Sequence, residues 1–175
     1  WAMYNDAGMT SPKDLFITQN SWAWANNPYD DFVIMVYTVE NKGSSAINGL
    51  YVGQFMDVDI TGYYDYGGVV SSLRMAYIYE SSIYVGVKLL DPTTATNLLI
   101  LDNATYVYPN ASILDSDKIQ MLNGSITGTS GSNDDYGLMV SAGPFDISPG
   151  ECHIVAFAVL GGNNPTDLET NAVKA

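Results

Sequence analysis

The 175-residue sequence is poor in the side chains that most often carry chemistry: it has one cysteine, one histidine and six basic residues. A lone Cys152 excludes an intrachain disulfide, and its apolar neighbours make it read as a small buried hydrophobe rather than a nucleophile. Any Ser-His-Asp triad would have to use His153, yet no Gly-x-Ser-x-Gly elbow supplies the serine. His153 therefore reads as a structural residue of a buried strand. Zinc lacks ligands too, because Cys152 and His153 are adjacent on that strand and point to opposite faces. Phosphate loops and dinucleotide fingerprints are absent. Glu40, Glu80, Glu151 and Glu169 are the only glutamates, and none has a context that marks a two-carboxylate glycosidase. The expectation is a noncatalytic chain.

Positive charge is equally scarce. Nineteen acidic against six basic residues give a formal charge of −13, with Lys and Arg nowhere gathered into a patch. Nucleic acid and anionic membrane surfaces are poor partners for such a chain. Apolar runs are short and broken by Asp, Gly and Asn, so no membrane insertion is expected. No signal peptide is visible, and a start at Trp1 rather than Met is compatible with a removed leader. The acidity suits either solubility in a salty or extracellular setting or cation binding. Abundant Tyr, Asn, Gly, Ser and Thr point to an extracellular or cell-surface location. The triplets Asn103-Ala-Thr, Asn110-Ala-Ser and Asn123-Gly-Ser make Asn103, Asn110 and Asn123 candidate glycosylation sites.

What the sequence does contain is β-forming, with 47% hydrophobic residues, enough to give one domain over residues 1–175 a core of its own. From Phe32 to Val39 both alternating faces are apolar, as in a strand covered on both sides. Turn formers follow at Asn41-Lys-Gly-Ser-Ser-Ala, and Leu50 to Met56 returns as a partner strand. The pattern predicts a central antiparallel hairpin in a mainly β sandwich, jelly-roll or Ig-like, that delivers Asp57 and Asp59 to one end.

Around this centre, Trp1 to Lys13 reads as a lead-in or edge strand, and Leu15–Gln19 and Ser21–Ala25 as two short β pieces. Val69–Glu80 and Ile83–Leu90 are strands joined at Glu80-Ser-Ser, with Arg74 and Lys88 facing solvent or an acid and Arg74 placed to neutralise part of the acidic end. Leu98–Leu101 and Tyr106–Tyr108 form a further pair. A short helix is expected within Ile113–Leu122, capped by Asp115 or Ser116 and ended by Gly124, and Asn123–Gly137 reads as a mobile surface loop. Two strands flank Pro149-Gly150, the last of them, His153–Leu160, lying inside the sandwich. Thr166 with Glu169 forms a capping box for a short C-terminal helix docked by Leu168, Ala172 and Val173.

Two constellations suggest binding. Hard cations need several oxygen ligands on a flexible segment, and Asp57, Asp59 and Asp65 flank the glycine-rich stretch Thr61 to Gly68. Asp134 and Asp135 would join them if the two loops meet, making a calcium site. No Asp-x-Asp-x-Asp-Gly run or closing Glu is present, and the competing reading is that these acids guard strand ends against edge pairing. The second constellation is aromatic: Trp22, Trp24, Tyr63, Tyr64 and Tyr66 as a sugar-stacking face, against core packing for the two tryptophans.

Three pieces carry a resemblance: Asp31-Phe-Val-Ile-Met-Val-Tyr-Thr-Val-Glu-Asn-Lys-Gly, then Gly53-Gln-Phe-Met-Asp-Val-Asp-Ile, then Ala142-Gly-Pro-Phe-Asp-Ile-Ser-Pro-Gly-Glu with Ala156-Phe-Ala-Val-Leu-Gly-Gly-Asn-Asn. Together they resemble an uncharacterised β-sandwich module of large secreted or cell-surface prokaryotic proteins. Val58 stands where that module usually has an aromatic residue between its two aspartates. The resemblance implies an exported, noncatalytic domain that accompanies an enzyme or an adhesive partner. On this reading the chain is a calcium-stabilised subunit of a surface filament or layer, partnered by copies of itself or other surface proteins through its sheet edges. The alternative is a carbohydrate-binding module that holds polysaccharide on its aromatic face.

Overall fold

Runs of Val, Ile, Tyr and Phe interrupted by Gly, Asn, Asp and Pro favour extended backbone separated by turns. The computed structural model describes residues 1–62, 64–110 and 112–175, and strands dominate it. In chain order they are β1 (Ala2–Asn5), β2 (Leu15–Ala23), β3 (Phe32–Asn41), β4 (Ile47–Asp57), β5 (Asp65–Val70), β6 (Met75–Glu80), β7 (Ile83–Asp91), β8 (Asn97–Asp102), β9 (Ser130–Asp134), β10 (Tyr136–Ile147) and β11 (Cys152–Gly162). Three α-helices accompany them among the described residues: α1 (Asn103–Tyr106), α2 (Asp115–Leu122) and α3 (Pro165–Lys174). The strands form an eight-stranded sheet of order β1-β2-β3-β11-β7-β6-β5-β9 and a three-stranded sheet of order β4-β10-β8, with every pairing antiparallel. This is the expected β-sandwich with its short C-terminal helix.

The small sheet covers only part of the large one. β10 lies over β6 and β7, and β8 over β5 and β6. Between the layers Ala76, Ile78, Val87, Leu89, Val155 and Phe157 meet Ile100, Leu138, Val140 and Ala142. Burying each of the larger side chains contributes about 1.5–3 kcal/mol. α3 seals the outer face of the large sheet with Leu168 and Ala172, against Phe32, Met75, Tyr84 and Leu160. α2 seals the outer face of the small sheet, where Met121 packs on Leu99, Leu101 and Met139. β1, β2 and β3 extend beyond the small sheet's cover, which is why β3 is only half-buried at most positions despite its two apolar faces.

The expected central hairpin does not form. β3 and β4 are the predicted strands, but β3 pairs with β2 and β11 while β4 pairs with β10 in the other layer. Both edges of β3 are taken, so the chain must cross, and residues 42–46 bridge a layer separation of about 10 Å. Asn41 organises that crossing. Fully buried, its amide donates to the Ser45 carbonyl at 2.8 Å and the Ile147 carbonyl at 2.9 Å, and its Oδ1 accepts from the Gly43 N–H at 2.9 Å. The Pro149-Gly150 turn is a second crossing, from β10 to β11, and it is tied to the same residue: the Gly150 N–H donates to the Asn41 carbonyl at 2.8 Å, and the Asn41 N–H to the Glu151 carbonyl at 3.0 Å.

Other expectations shift for local reasons. The two β pieces at Leu15 and Ser21 are one strand, and Val69–Glu80 is split by a 3-10 turn (Ser71–Leu73) that ends with Arg74 at φ 53°. Tyr106 to Tyr108 is no strand, because Asp102 caps α1 by accepting from the Thr105 N–H at 3.1 Å. Part of the expected mobile loop is the edge strand β9, paired with β5. Leu114 rather than Asp115 or Ser116 occupies the N-cap position of α2, without a side-chain cap bond. Asn164, not Thr166, caps α3, accepting from the Asp167 N–H at 2.9 Å with Pro165 as first residue, and Val173 points to solvent while Leu168 and Ala172 dock. No helix among the described residues is long and apolar enough to cross a membrane.

Candidate functional site

Antiparallel pairing collects one end of six strands at one end of the sandwich. β4, β6, β8 and β9 finish there at Asp57, Glu80, Asp102 and Asp134, and β5 and β10 begin there at Asp65 and Tyr136. In register, Gly137 faces Asp57, Tyr136 faces Asp102, and Asp65 faces Asp134. The loops bearing Asp57, Asp59, Asp65 and Asp135 thus meet, a point the acid spacing had left open. Their hub is Asn103, 1% exposed, whose amide donates to Asp57 Oδ1 at 2.9 Å and to Asp135 Oδ1 at 2.5 Å. Glu80 joins from β6 and anchors the loop after β4 by accepting from the Thr61 N–H at 3.1 Å and from its hydroxyl. Asp134 turns aside to accept from the Asp135 N–H at 2.9 Å.

This end is electrostatically unsatisfied. Asp65 is 1% exposed and Asp135 8% exposed, and the two ion pairs among the described residues, Lys42–Glu40 and Lys118–Asp115, lie elsewhere. Burial, reinforced by Glu80, Asp59 and Asp135, pushes the Asp65 carboxyl up from 3.8 to about 6, against an opposing backbone hydrogen bond at Ile60. Asp57 is raised as well, mainly by desolvation and then by Asp135 and Asp59, with the Asn103 hydrogen bond pulling the other way. Among the described residues the buried side-chain atoms without a hydrogen-bond partner are Asp65 Oδ1 and Asn103 Oδ1, both at this end. No three His, Cys, Asp or Glu side chains among the described residues converge closely enough to hold a metal as they stand.

A second site lies where the large sheet overhangs. A groove of about 510 Å³ runs between the inner faces of β1 to β3 and the free edge of β4. Leu15, Ile17, Val39 and Val52 make its walls and Phe157 its floor. Its polar groups are Tyr4, Tyr37 and Tyr51 with Gln19 and Gln54, and none of its lining residues is charged. The Tyr4 hydroxyl donates to Gln19 Oε1 at 2.7 Å, and the Tyr37 hydroxyl to Gln54 Oε1 at 3.2 Å. Burial, followed by Tyr4, pushes the Tyr37 hydroxyl above its ordinary 10.0, so it stays a donor. The spacing from Ile17 to Gln19 and from Tyr37 to Val39 signals a shared face, but nothing in the sequence shows that the covering sheet is too narrow to fill it.

The expected aromatic face does not exist as one surface. Trp22 and Trp24 are 47% and 44% exposed beside β3, Trp24 lying edge-on to Phe32 at 5.9 Å, so neither is a core residue. Tyr64 and Tyr66 sit at the β5 side of the large sheet, five strand spacings from β2 or roughly 24 Å. Tyr66 stacks on Tyr79 at 5.3 Å and Tyr79 on Tyr84 at 4.7 Å, which occupies ring faces a sugar would need. Tyr63 lies outside the described residues.

Asn103 is buried and engaged, which removes it as a glycan acceptor, while Asn123 is exposed and the Asn110 side chain is outside the description. Cys152 is exposed rather than buried, and the His153 ring stacks on Phe145 at 3.8 Å. Arg74 sits at the opposite end from the acids, donating to the Leu89 carbonyl at 3.0 Å, and Lys88 is buried against the Ala172 carbonyl of α3. Burial chiefly, and then Arg74, lowers the Lys88 amine below its ordinary 10.5.

No family model matches the chain, and no curated protein matches it in sequence. Solved structures do share its fold. One is a bacterial glucoamylase crystallised with acarbose, at 14% identity and a TM-score of 0.55, in which the chain is covered over 93% of its length and spans 23% of the other. Another is an Escherichia coli K12 chain assigned as an aldose 1-epimerase, at 10% identity and a TM-score of 0.50, covering 93% of this chain and 64% of that one. Likeness at these identities establishes the fold. It also overturns the expectation of a noncatalytic chain: that expectation rested on absent motifs, and the fold proves to be one that enzyme chains adopt.

Proposed function

We propose that the chain is a carbohydrate-binding domain that holds a neutral sugar in the groove between β1–β3 and β4. The observation that carries this reading is the groove's makeup: an apolar floor and walls, three tyrosines, two glutamines and no charge, on a chain of net charge −13. A sugar ring offers apolar C–H faces to aromatic rings and hydroxyl groups to planar amides, and Gln19 and Gln54 can each donate and accept. An anionic glycan is disfavoured by the surrounding acidity, a neutral one is not. The names of the two structural neighbours, a glucoamylase complexed with acarbose and a chain assigned as an aldose 1-epimerase, lend support because both name carbohydrate chemistry. Acidic residues at the sandwich end lie outside this groove and play no part in it.

Retention on immobilised neutral polysaccharides, followed by titration with the oligosaccharides of whichever matrix retains the chain, tests the proposal. The expected result is saturable binding that Tyr37→Ala and Gln54→Ala each weaken at least tenfold while Trp22→Ala leaves it unchanged. Binding that survives both groove variants, or that disappears with Trp22→Ala, assigns the sugar to another surface and overturns the proposal.

A further inference from the structure

The geometry points to a calcium site at the acid end, with Asp57, Asp59, Asp65 and Asp135 as its carboxylate ligands. Gatekeeping of strand ends explains an exposed acid such as Asp134, but not Asp65 and Asp135, which are buried. Burying a carboxylate without a partner carries a large desolvation cost, so an acid in that position implies a counter-charge. None of the six basic side chains supplies it: no ion pair reaches these four acids among the described residues, and Arg74 and Lys88 are engaged with backbone carbonyls elsewhere.

Two further atoms point the same way. Asp65 Oδ1 and Asn103 Oδ1 are buried acceptors with no donor, each belonging to a residue that touches or faces the cluster. Carboxylates that lack a counter-ion and acceptors that lack a donor are all served by one object, a hydrated cation: the ion takes the carboxylates and its waters donate to the remaining oxygens. Calcium fits because it takes six to eight oxygen ligands in flexible geometry and keeps waters in its shell. Asp65 and Asp135 form the fixed wall of the site. Asp59 is exposed just beyond β4, and Asp57, exposed at its end, is already drawn toward Asp135 by the Asn103 amide they share, so both turn inward once the ion screens the repulsion of like charges.

The test is thermal unfolding and titration calorimetry of the 175-residue chain with calcium alone, at fixed ionic strength, against chelator and against equal magnesium. The expected result is one saturable site and an unfolding midpoint raised by about 5–10 °C when calcium is about a hundredfold above its dissociation constant. Asp65→Asn and Asp135→Asn each abolish the rise, whereas the double change Asp115→Asn/Asp117→Asn on α2 leaves it intact. Should either buried variant fail to fold, Asp59→Asn, exposed in the loop, probes the same site through a weakened rise. An absent shift, an equal shift with magnesium, or a shift that persists in all the site variants reduces the acids to a screened surface and overturns the assignment. The groove's sugar binding is independent of every one of these outcomes.

Discussion

The groove and the acid end lie on one sandwich yet handle polar groups in opposite ways. In the groove two of the three tyrosine hydroxyls already have an amide partner, Tyr4 with Gln19 and Tyr37 with Gln54, and charge is absent. At the acid end, an exposed carboxylate, Asp57, and a buried one, Asp135, share a single amide, and two buried acceptors have no donor at all. A ligand that meets Tyr4 or Tyr37 exchanges bonds for bonds, so at those positions its affinity rests on ring stacking and displaced water. One entering the acid end relieves an existing deficit, so it must also stabilise the fold. The two sites therefore differ less in which polar atoms they own than in whether those atoms are satisfied before anything binds.

The largest effect expected on this comparison comes from Phe157→Ala. Phe157 is both core and groove floor, and its ring meets Tyr37 at a centroid distance of 6.2 Å. Its truncation should cost about 3–5 kcal/mol in urea unfolding. Sugar retention should fall with it, since the floor is lost. Any response to calcium should survive in the fraction that remains folded, and a joint loss of both would show that the two regions are coupled.

Next in size is Asn103→Ala. The amide separates Asp57 from Asp135, and removing it leaves two carboxylates without their shared donor. A loss of about 1–3 kcal/mol in chelator is expected, with sugar binding unchanged. An unchanged stability would mean that water replaces the amide without cost.

Much of this architecture was legible in the residues. Alternation and turn formers located β3, β4, β6, β7 and β11, and the paired acids at Asp57-Val-Asp and Asp134-Asp marked the end where strands converge. Two things were not. Which layer a strand joins depends on which edges are already taken, and the hairpin reading of Asn41 to Ala46 failed because β2 and β11 occupy both edges of β3. The groove was invisible for a related reason: it exists because three strands face eight, a count no local pattern carries. Asn103 was read as a glycan acceptor from its Asn-x-Thr spacing, and only its burial between two carboxylates shows its other role. Missing motifs proved the weakest guide, since they spoke to a few chemistries and not to what the fold supports in other chains.

A third outcome concerns pH, and its sign separates the two regions. The folded Asp65 carboxyl titrates near 6, above its ordinary 3.8, so the stability it carries is present below the lower value and lost as pH rises through about 6. Asp57 shifts in the same direction. In chelator, Asp65→Asn should therefore gain on the parent chain between pH 4 and pH 7, seen as a difference in unfolding midpoint that widens across that window. A difference that stays flat would show that Asp65 is already compensated in the free protein.

The smallest expected effect is also the most specific. Tyr37→Phe keeps the ring over Phe157 and removes only the hydroxyl that meets Gln54, so the groove keeps its shape and loses one donor. Because that hydroxyl is bonded before a sugar arrives, its loss should weaken sugar binding by only about 0.5–1.5 kcal/mol in titration calorimetry, against the larger loss from Tyr37→Ala. Stability and the pH profile should stay as they were, since the hydroxyl has no contact with the acid end. A loss as large as that of Tyr37→Ala would place the recognition in the hydroxyl rather than the ring, and the groove would then resemble the acid end in depending on one polar atom.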